Sequence, residues 1–338
     1  MMKHSPSSGA QLLDLTTLTR RELLASIAGL LVAPRAIAQS GAASIPVRGL
    51  NHLHLTVSNL ERSLEFYQRV LGMPLAGMQG VEADWRKPVI PMLAIGPGPE
   101  FISLSQGEGR MAGRDRIDHF GFGMERFSAD RVAKLLEAHG IKSTVRMRAD
   151  STPPVAELKF NDPDGIIVQI QDMSYCGGAG ALGSRCTNKP APAFSGPPPI
   201  PVRTLNHFTI TVADVQRSVA FYERVFGMRM QYNQGTEADW QKKVIPIVGV
   251  GKGPQFLAFA AGRDPGRIDH FCLGVQKFDA AEMVKRLAAH GVKASVRKRA
   301  DSNPPSEELT FRDPDNILVQ LQDVTYCGGE GKLGNMCR

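Results

Sequence analysis

Most of this chain is written twice, and that repetition limits the folds open to it more than any other feature. Asn51-His52 returns as Asn206-His207, and Glu82-Ala83-Asp84-Trp85 as Glu237-Ala238-Asp239-Trp240, both 155 residues later. Arg116-Ile117-Asp118-His119 returns at Arg267 to His270, Asp162-Pro163-Asp164 at Asp313 to Asp315, and Tyr175-Cys176-Gly177-Gly178 at Tyr326 to Gly329, each 151 residues later. The four-residue shortening falls between residues 85 and 116, where the glycine-rich stretch Gly107 to Arg114 reads as a surface loop tolerant of deletion. Such a period is too long for a solenoid, so each copy is a whole domain. Pro190 to Pro201 holds six prolines and reads as a stiff extended linker. The expected organisation is a segment 39–47, a first domain 48–189, the linker 190–201 and a second domain 202–338.

Residues 1–38 read as an address rather than a fold. Arg20-Arg21 precedes a short apolar stretch ending at Val32, and Ala36-Ile37-Ala38 supplies a small-residue cleavage pattern. The paired arginines resemble a twin-arginine (Tat) leader, although Leu23 stands where Phe is common. That resemblance implies the Tat export machinery as a partner and a periplasmic or secreted destination. Past the leader no apolar run is long enough to span a membrane. The formal charge of +7 comes from interspersed residues, with no basic run interleaved with aromatics, which argues against a nucleic-acid partner.

Each copy repeats one order of elements. Leu50 to Val57 alternates apolar and polar, as a half-buried strand does. Asn59, or Asp214 in the second copy, is suited to cap a helix whose Leu60, Leu64, Tyr67 and Leu71 share a face. Gly72 and Gly227 are expected just past the last turn. Strands are expected at Val89 to Ile95 and Phe101 to Ser105. A second series follows: strand Ile117 to Met124, helix Ala129 to Ala138, strands Thr144 to Arg148, Glu157 to Phe160 and Ile166 to Gln171, with an Asp162-Pro163-Asp164-Gly165 turn before the last.

The ordered motifs Asn-His-x-x-(Leu/Ile)-x-Val, Arg-Ser-(Leu/Val)-x-Phe-Tyr-x-x-Val-(Leu/Phe)-Gly-Met, Ile-Asp-His-Phe and Phe-x-Asp-Pro-Asp-(Gly/Asn) resemble the vicinal oxygen chelate superfamily. That superfamily includes glyoxalase I, extradiol ring-cleaving dioxygenases, and bleomycin- and fosfomycin-resistance proteins. The resemblance covers residues 48–175 and 203–326. It implies an α+β fold of two tandem domains, each of paired βαβββ modules forming a cup-shaped mixed sheet. It also implies a divalent metal in the cup, held by His52, His119 and Gln169 in the first copy and by His207, His270 and Gln320 in the second. Strand alternation puts all six on polar faces. Two imidazoles and a carboxylate would suit Fe2+, with Mn2+, Zn2+ or Ni2+ as other choices. Here Gln stands where Glu is usual, and Ala258 replaces any fourth-strand ligand in the second copy. No His or Tyr precedes the Asp-Pro turn, which departs from the extradiol signature. The expected function is a metal-dependent, dioxygenase-like enzyme on a small oxygen-rich or aromatic substrate. A metal-free small-molecule binder of the bleomycin-resistance type and a glyoxalase-I-like lyase are the alternatives.

Other residues are expected around the cups. His54 reads as a polar lining residue, with Thr209 as its counterpart. Glu82, Asp84 and Trp85, with Glu237, Asp239 and Trp240, could bring negative charge and an aromatic wall to the rims, or form a loop ion pair beside a packed Trp. Arg146 and Arg148, with Arg297 and Arg299, could attract an anion or form a solvated strand edge. His139 and His290 are expected as partners of helix C-terminal dipoles. Cys176 with Cys186, and Cys327 with Cys337, suit two local disulfides in an exported protein, although pairing between copies stays open. Cys272 shares a strand face with His270 and is expected to line the second cup, as a soft ligand, a reactive thiol or simply a small buried residue.

Overall fold

The computed structural model describes residues 42–80, 89–107, 116–148, 150–235 and 244–337. The leader, the Glu82 and Glu237 motifs and most of the Gly107 to Arg114 loop lie outside them.

The first copy runs β1 (Val47–Val57), α1 (Leu60–Leu71), β2 (Leu75–Gln79), β3 (Ile90–Ala94), β4 (Phe101–Gln106), β5 (Ile117–Met124), α2 (Ala129–Ala138), β6 (Ser143–Arg148), β7 (Val155–Asn161) and β8 (Ile167–Asp172). The second copy repeats it as β9 (Val202–Val212), α3 (Val215–Phe226), β10 (Arg229–Gln234), β11 (Ile245–Gly249), β12 (Phe256–Ala261), β13 (Arg267–Val275), α4 (Ala280–Ala289), β14 (Ala294–Lys298), β15 (Glu307–Arg312) and β16 (Leu318–Asp323). Each copy builds one eight-stranded mixed sheet, in the order β2-β3-β4-β1-β5-β8-β7-β6 and its equivalent. The expected α+β fold of two tandem cupped sheets is therefore present. Strands β2 and β10 escape the sequence reading, because Leu75–Gln79 and Arg229–Gln234 lack clean apolar alternation. Pairing with β3 and β11 forms them, not propensity.

The helices start and stop where their caps place them. Asn59 and Asp214 accept from the backbone amides of Arg62 and Arg217. Gly72 and Gly227 close α1 and α3 at φ 65°, a conformation only glycine adopts without strain.

The apolar faces of the two sheets meet in one continuous core that crosses between copies. Phe120 of β5 lies 4.9 Å from Phe208 of β9, Phe122 lies 5.3 Å from Phe226 of α3, and Phe66 of α1 lies 6.3 Å from Phe311 of β15. With those faces buried, the polar faces are left to line the concave cups.

A reciprocal polar latch ties the copies together. Tyr67 and Ser63 of α1 donate to Asp313 and Asp315 in the second copy's Asp-Pro-Asp turn. Tyr222 and Ser218 of α3 donate to Asp162 and Asp164 in the first copy's turn. His139 and His290 stand at helix C-caps, and each ring donates from Nε2 to a carbonyl of the segment entering β1 or β9, at 3.2 Å. They dock those segments, a role beyond the expected dipole contact. Cys176 and Cys186, and Cys327 and Cys337, form two local disulfides.

Candidate active site: two unequal cups

The cups are laid out by sheet register. In the first, one row across β4, β1, β5, β8 and β7 reads Phe101, His52, Gly121, Gln169, Lys159. The neighbouring row reads Ser103, His54, His119. In the second copy the rows are Phe256, His207, Cys272, Gln320, Thr310 and Ala258, Thr209, His270. Thus His52, His119 and Gln169 do converge, as do His207, His270 and Gln320.

Hydrogen bonds fix the ring tautomers. Asn51 Nδ2 donates to the Tyr175 carbonyl at 2.8 Å, which turns its Oδ1 toward His52 Nδ1, also at 2.8 Å. His52 therefore carries its proton on Nδ1 and presents the Nε2 lone pair to the cup. Asp118 accepts from His119 Nδ1 at 2.6 Å, with the same result. Asn206 with His207, and Asp269 with His270, repeat both arrangements. Carboxylate and amide partners of this kind are how proteins orient metal-binding imidazoles. The two rings stand nearly perpendicular, 5.7 Å apart in the first cup and 5.6 Å in the second, a spacing that allows both Nε2 atoms to reach one ion. Gln169 and Gln320 lie one strand beyond Gly121 and Cys272 on the same rows as His52 and His207, and Gln320 Nε2 has no partner among the described residues. Among the described residues no three His, Cys, Asp or Glu side chains are grouped to hold an ion. The donor set per cup is therefore two imidazoles and a neutral amide. It fits a divalent metal, with less charge compensation than a set containing a carboxylate.

Burial, reinforced by neighbouring imidazoles, pushes His52 and His207 well below the ordinary histidine range. Burial also lowers His119, against the pull of Asp118. Burial would raise the Asp118 carboxyl, but its bond to His119, with the neighbouring imidazoles and the Lys159 ammonium, outweighs burial and holds it at about 2.

The cups differ around this shared frame. The first encloses a cavity of about 190 Å³. His54 bridges Ser103 and Ser105, its ring nitrogens 2.9 Å from each hydroxyl oxygen, and stacks on His119 at 5.1 Å. Burial pushes it down to about 3. His119 Nε2 has no partner among the described residues. In the second cup the Thr209 hydroxyl donates to His270 Nε2 at 3.1 Å and occupies its lone pair. A Cβ at Gly121 would lie 2.2 Å from His52 Cε1, so glycine is needed for that ring's position. Cys272 occupies the matching place, and His207 sits closer to Phe256 (4.3 Å) than His52 does to Phe101 (4.8 Å). The Cys272 thiol is fully buried, which raises its pKa and keeps it protonated.

Some expected roles need correction. Arg148 and Arg299 are neither a solvated edge nor an anion site. They are buried, bound to Asp150 and Asp301, and donate to the Gly177 and Gly328 carbonyls beside each disulfide. Arg297 is spent on Glu308, whereas Arg146 lines the first cavity. The sequence reading missed Glu157, Lys159 and Tyr175, all on the cavity wall, and Glu308 and Tyr326 opposite Cys272 in the second cup. Tyr175 donates to Glu157 at 3.1 Å, and Tyr326 to Glu308 at 3.0 Å. The signal was available: in β7, Glu157 and Lys159 alternate with Ala156, Leu158 and Phe160, and Glu157 recurs as Glu308.

The family model described as the glyoxalase/bleomycin resistance protein/dioxygenase superfamily matches residues 49–170 and 204–321. A glyoxalase domain-containing protein, RDO1, of Mycosarcoma maydis is 31% identical over 123 residues, which cover 36% of this chain and 68% of that protein. Among solved structures, homoprotocatechuate 2,3-dioxygenase from Brevibacterium fuscum, in complex with 3,4-dihydroxyphenylacetate, superposes with a TM-score of 0.62 at 16% identity. It covers 84% of this chain and 83% of that one. The Mn(II)-bound glyoxalase from Novosphingobium aromaticivorans superposes at 0.58 and 15% identity, over 82% of each chain. A catechol 2,3-dioxygenase superposes at 0.59 and 19% identity, over 82% of this chain and 88% of that one. At these identities the shared property is the fold.

Proposed function

Because this chain belongs to the glyoxalase/bleomycin resistance protein/dioxygenase superfamily, we propose that its first cup is a divalent-metal-dependent active site for a small oxygen-rich or aromatic substrate, with dioxygenase-like chemistry. The observation that carries this reading is the pair of imidazoles, His52 and His119, each protonated on Nδ1 by a fixed partner and offering Nε2 to the cavity. Those two nitrogens and the Gln169 amide would hold the ion. When bound, the metal would supply Lewis acidity and open positions for vicinal substrate oxygens.

The chain's own residues do the rest. Asn51 and Asp118 keep the imidazoles from rotating. His54, neutral and placed between two hydroxyls, can take a proton at one ring nitrogen and release one at the other. Phe101 and Ile90 supply apolar wall for a ring. The second cup serves as scaffold: Thr209 caps one imidazole and Cys272 crowds the other. The export reading belongs here too, supported by the leader pattern and by two local disulfides, which persist in oxidising compartments. The N-terminal residue of the protein recovered outside the cytoplasm is then expected to be Gln39.

Elemental analysis of protein made in its native host is expected to find one transition metal per chain. His119→Ala should remove it, and His270→Ala should not. Oxygen uptake with a panel of catechols then separates dioxygenase from non-redox chemistry. A metal-free preparation that binds an aromatic ligand equally well with and without His119 would replace this reading with that of a sequestering protein.

A further inference from the structure

The two cups differ in charge as well as shape, and the difference bears on the substrate. The first cavity is lined by two cations, Lys159 and Arg146, and two carboxylates, Asp118 and Glu157. Both carboxylates are engaged elsewhere: Asp118 accepts from His119, and Glu157 accepts from the Tyr175 hydroxyl. No ion pair or hydrogen bond to the Lys159 ammonium exists among the described residues. In the second cup the matching positions are neutralised. Thr310 replaces Lys159 in the same register opposite Gln320, and Arg297 is bound twice to Glu308. An ammonium half-buried and without a partner among the described residues is costly to keep, because burial removes part of its hydration. Burial accordingly lowers the Lys159 pKa, despite the pull of Glu157 and Asp118.

The geometry points to Lys159 as the anchor for an anionic group, a carboxylate above all, on the substrate of the first cup. The assignment rests on the cup-one reading above. Lys159 lies on the same register row as His52 and Gln169, at its far end. Three strand spacings separate β1 from β7, about 14 Å along the sheet. The imidazole reaches inward from one end of that span and the lysine from the other. The cavity of about 190 Å³ between them has room for one small ring. A compound with vicinal oxygens at one end and a carboxylate at the other would meet the histidines and the ammonium together. Arg146, on the next strand out, adds a second cation at the mouth. Among the described residues the matching places in the second cup offer no free cation, since Thr310 stands for the lysine and Arg297 is already paired.

The test is calorimetric titration of the full chain with 3,4-dihydroxybenzoate and with its uncharged amide, each with and without added Mn(II). Wild type is expected to favour the carboxylate by about tenfold or more, the scale of one charge-assisted bond. Lys159→Thr copies the residue the second copy uses in the same fold, so it is expected to fold, and it should abolish that preference while leaving the amide's affinity unchanged. Lys159→Arg should restore the preference. Equal affinity of wild type for both compounds, a preference that survives Lys159→Thr, or binding of neither compound would overturn the assignment. The metal arms separate this result from the functional reading. A Lys159-dependent preference that ignores Mn(II) would keep the anion anchor and overturn the metal-dependent site. Mn(II)-dependent binding of both compounds without any preference would do the reverse.

Discussion

At the scale of single residues, the exchange of Gly121 for Cys272 is the difference between the cups that presses directly on a candidate ligand. Gly121 leaves room for the His52 ring, since a Cβ there would lie 2.2 Å from an imidazole carbon. Gly121→Cys, which writes the second cup's residue into the first, should displace His52 and cost about 1–3 kcal/mol by overpacking. Metal retention by the purified variant is the direct check: a variant that keeps its full complement would show that the displacement does not matter. The same residue explains a sequence-level gap. Cys272 is expected on the cup wall from its strand face; only register shows that it stands between His207 and Gln320, fully buried. Crowding by that thiol, rather than ligation by it, is what the packing supports.

At the scale of elements, the Asp-Pro-Asp turns do two jobs. Asp313 Oδ1 accepts from the backbone amides of Asp315 and Ile317 and so shapes its own turn. Its Oδ2 accepts from Tyr67 of the other copy, at 2.9 Å. Asp162 does the same for Tyr222. Removing Tyr67 by Tyr67→Phe deletes one bond and should cost about 1–2 kcal/mol. Asp313→Ala leaves three donors without an acceptor in a buried turn and should cost at least twice as much. Denaturant unfolding of both variants ranks them; equal losses would mean the turn does not need its carboxylate. The turn was readable as Asp-Pro-Asp-Gly, because local chemistry dictates it. Its partner on the far copy was not, because Tyr67 and Asp313 are 246 residues apart and meet only once both sheets have formed.

At the scale of the whole molecule, the copies are also joined near the open ends of β4 and β12. Glu100 accepts from the Leu205 amide and from Gln255 Nε2, while Gln255 Oε1 accepts from the Leu50 amide. Burial in this junction pushes the Glu100 carboxyl up to about 7, against those two bonds. A carboxyl whose folded pKa lies above its unfolded one favours folding while protonated. Its contribution is therefore lost as pH rises from the unfolded value through about 7. Between pH 5 and pH 8 that loss amounts to about 2.5 kcal/mol. Glu100→Gln cannot titrate, so its stability deficit relative to wild type should shrink by that amount over the same range. Parallel unfolding curves at the two pH values test it, and a pH-independent deficit would rule out titration of Glu100 in this window.

The amino-acid sequence by itself determined the duplication, the helices with their caps, and the alternation that sends His52, His119 and Gln169 to one face; it left the cysteine pairing open, and the fold chose the local pairs. The first three are set by neighbours a few residues away, or by comparing one copy with the other. Tertiary structure decided what the alternation leaves open. It paired β2 and β10 into their sheets, put Lys159 and Glu157 on the cavity wall, buried Arg148 against a disulfide, and locked each imidazole tautomer. It also made the cups unequal. A polar face can line a cup or face solvent, and only the curvature and register of eight strands brought together settle which. The substitutions His54 for Thr209, Gly121 for Cys272 and Lys159 for Thr310 can be read along the chain, but they become one chemical difference only when the register puts them on the same two rows of one cup.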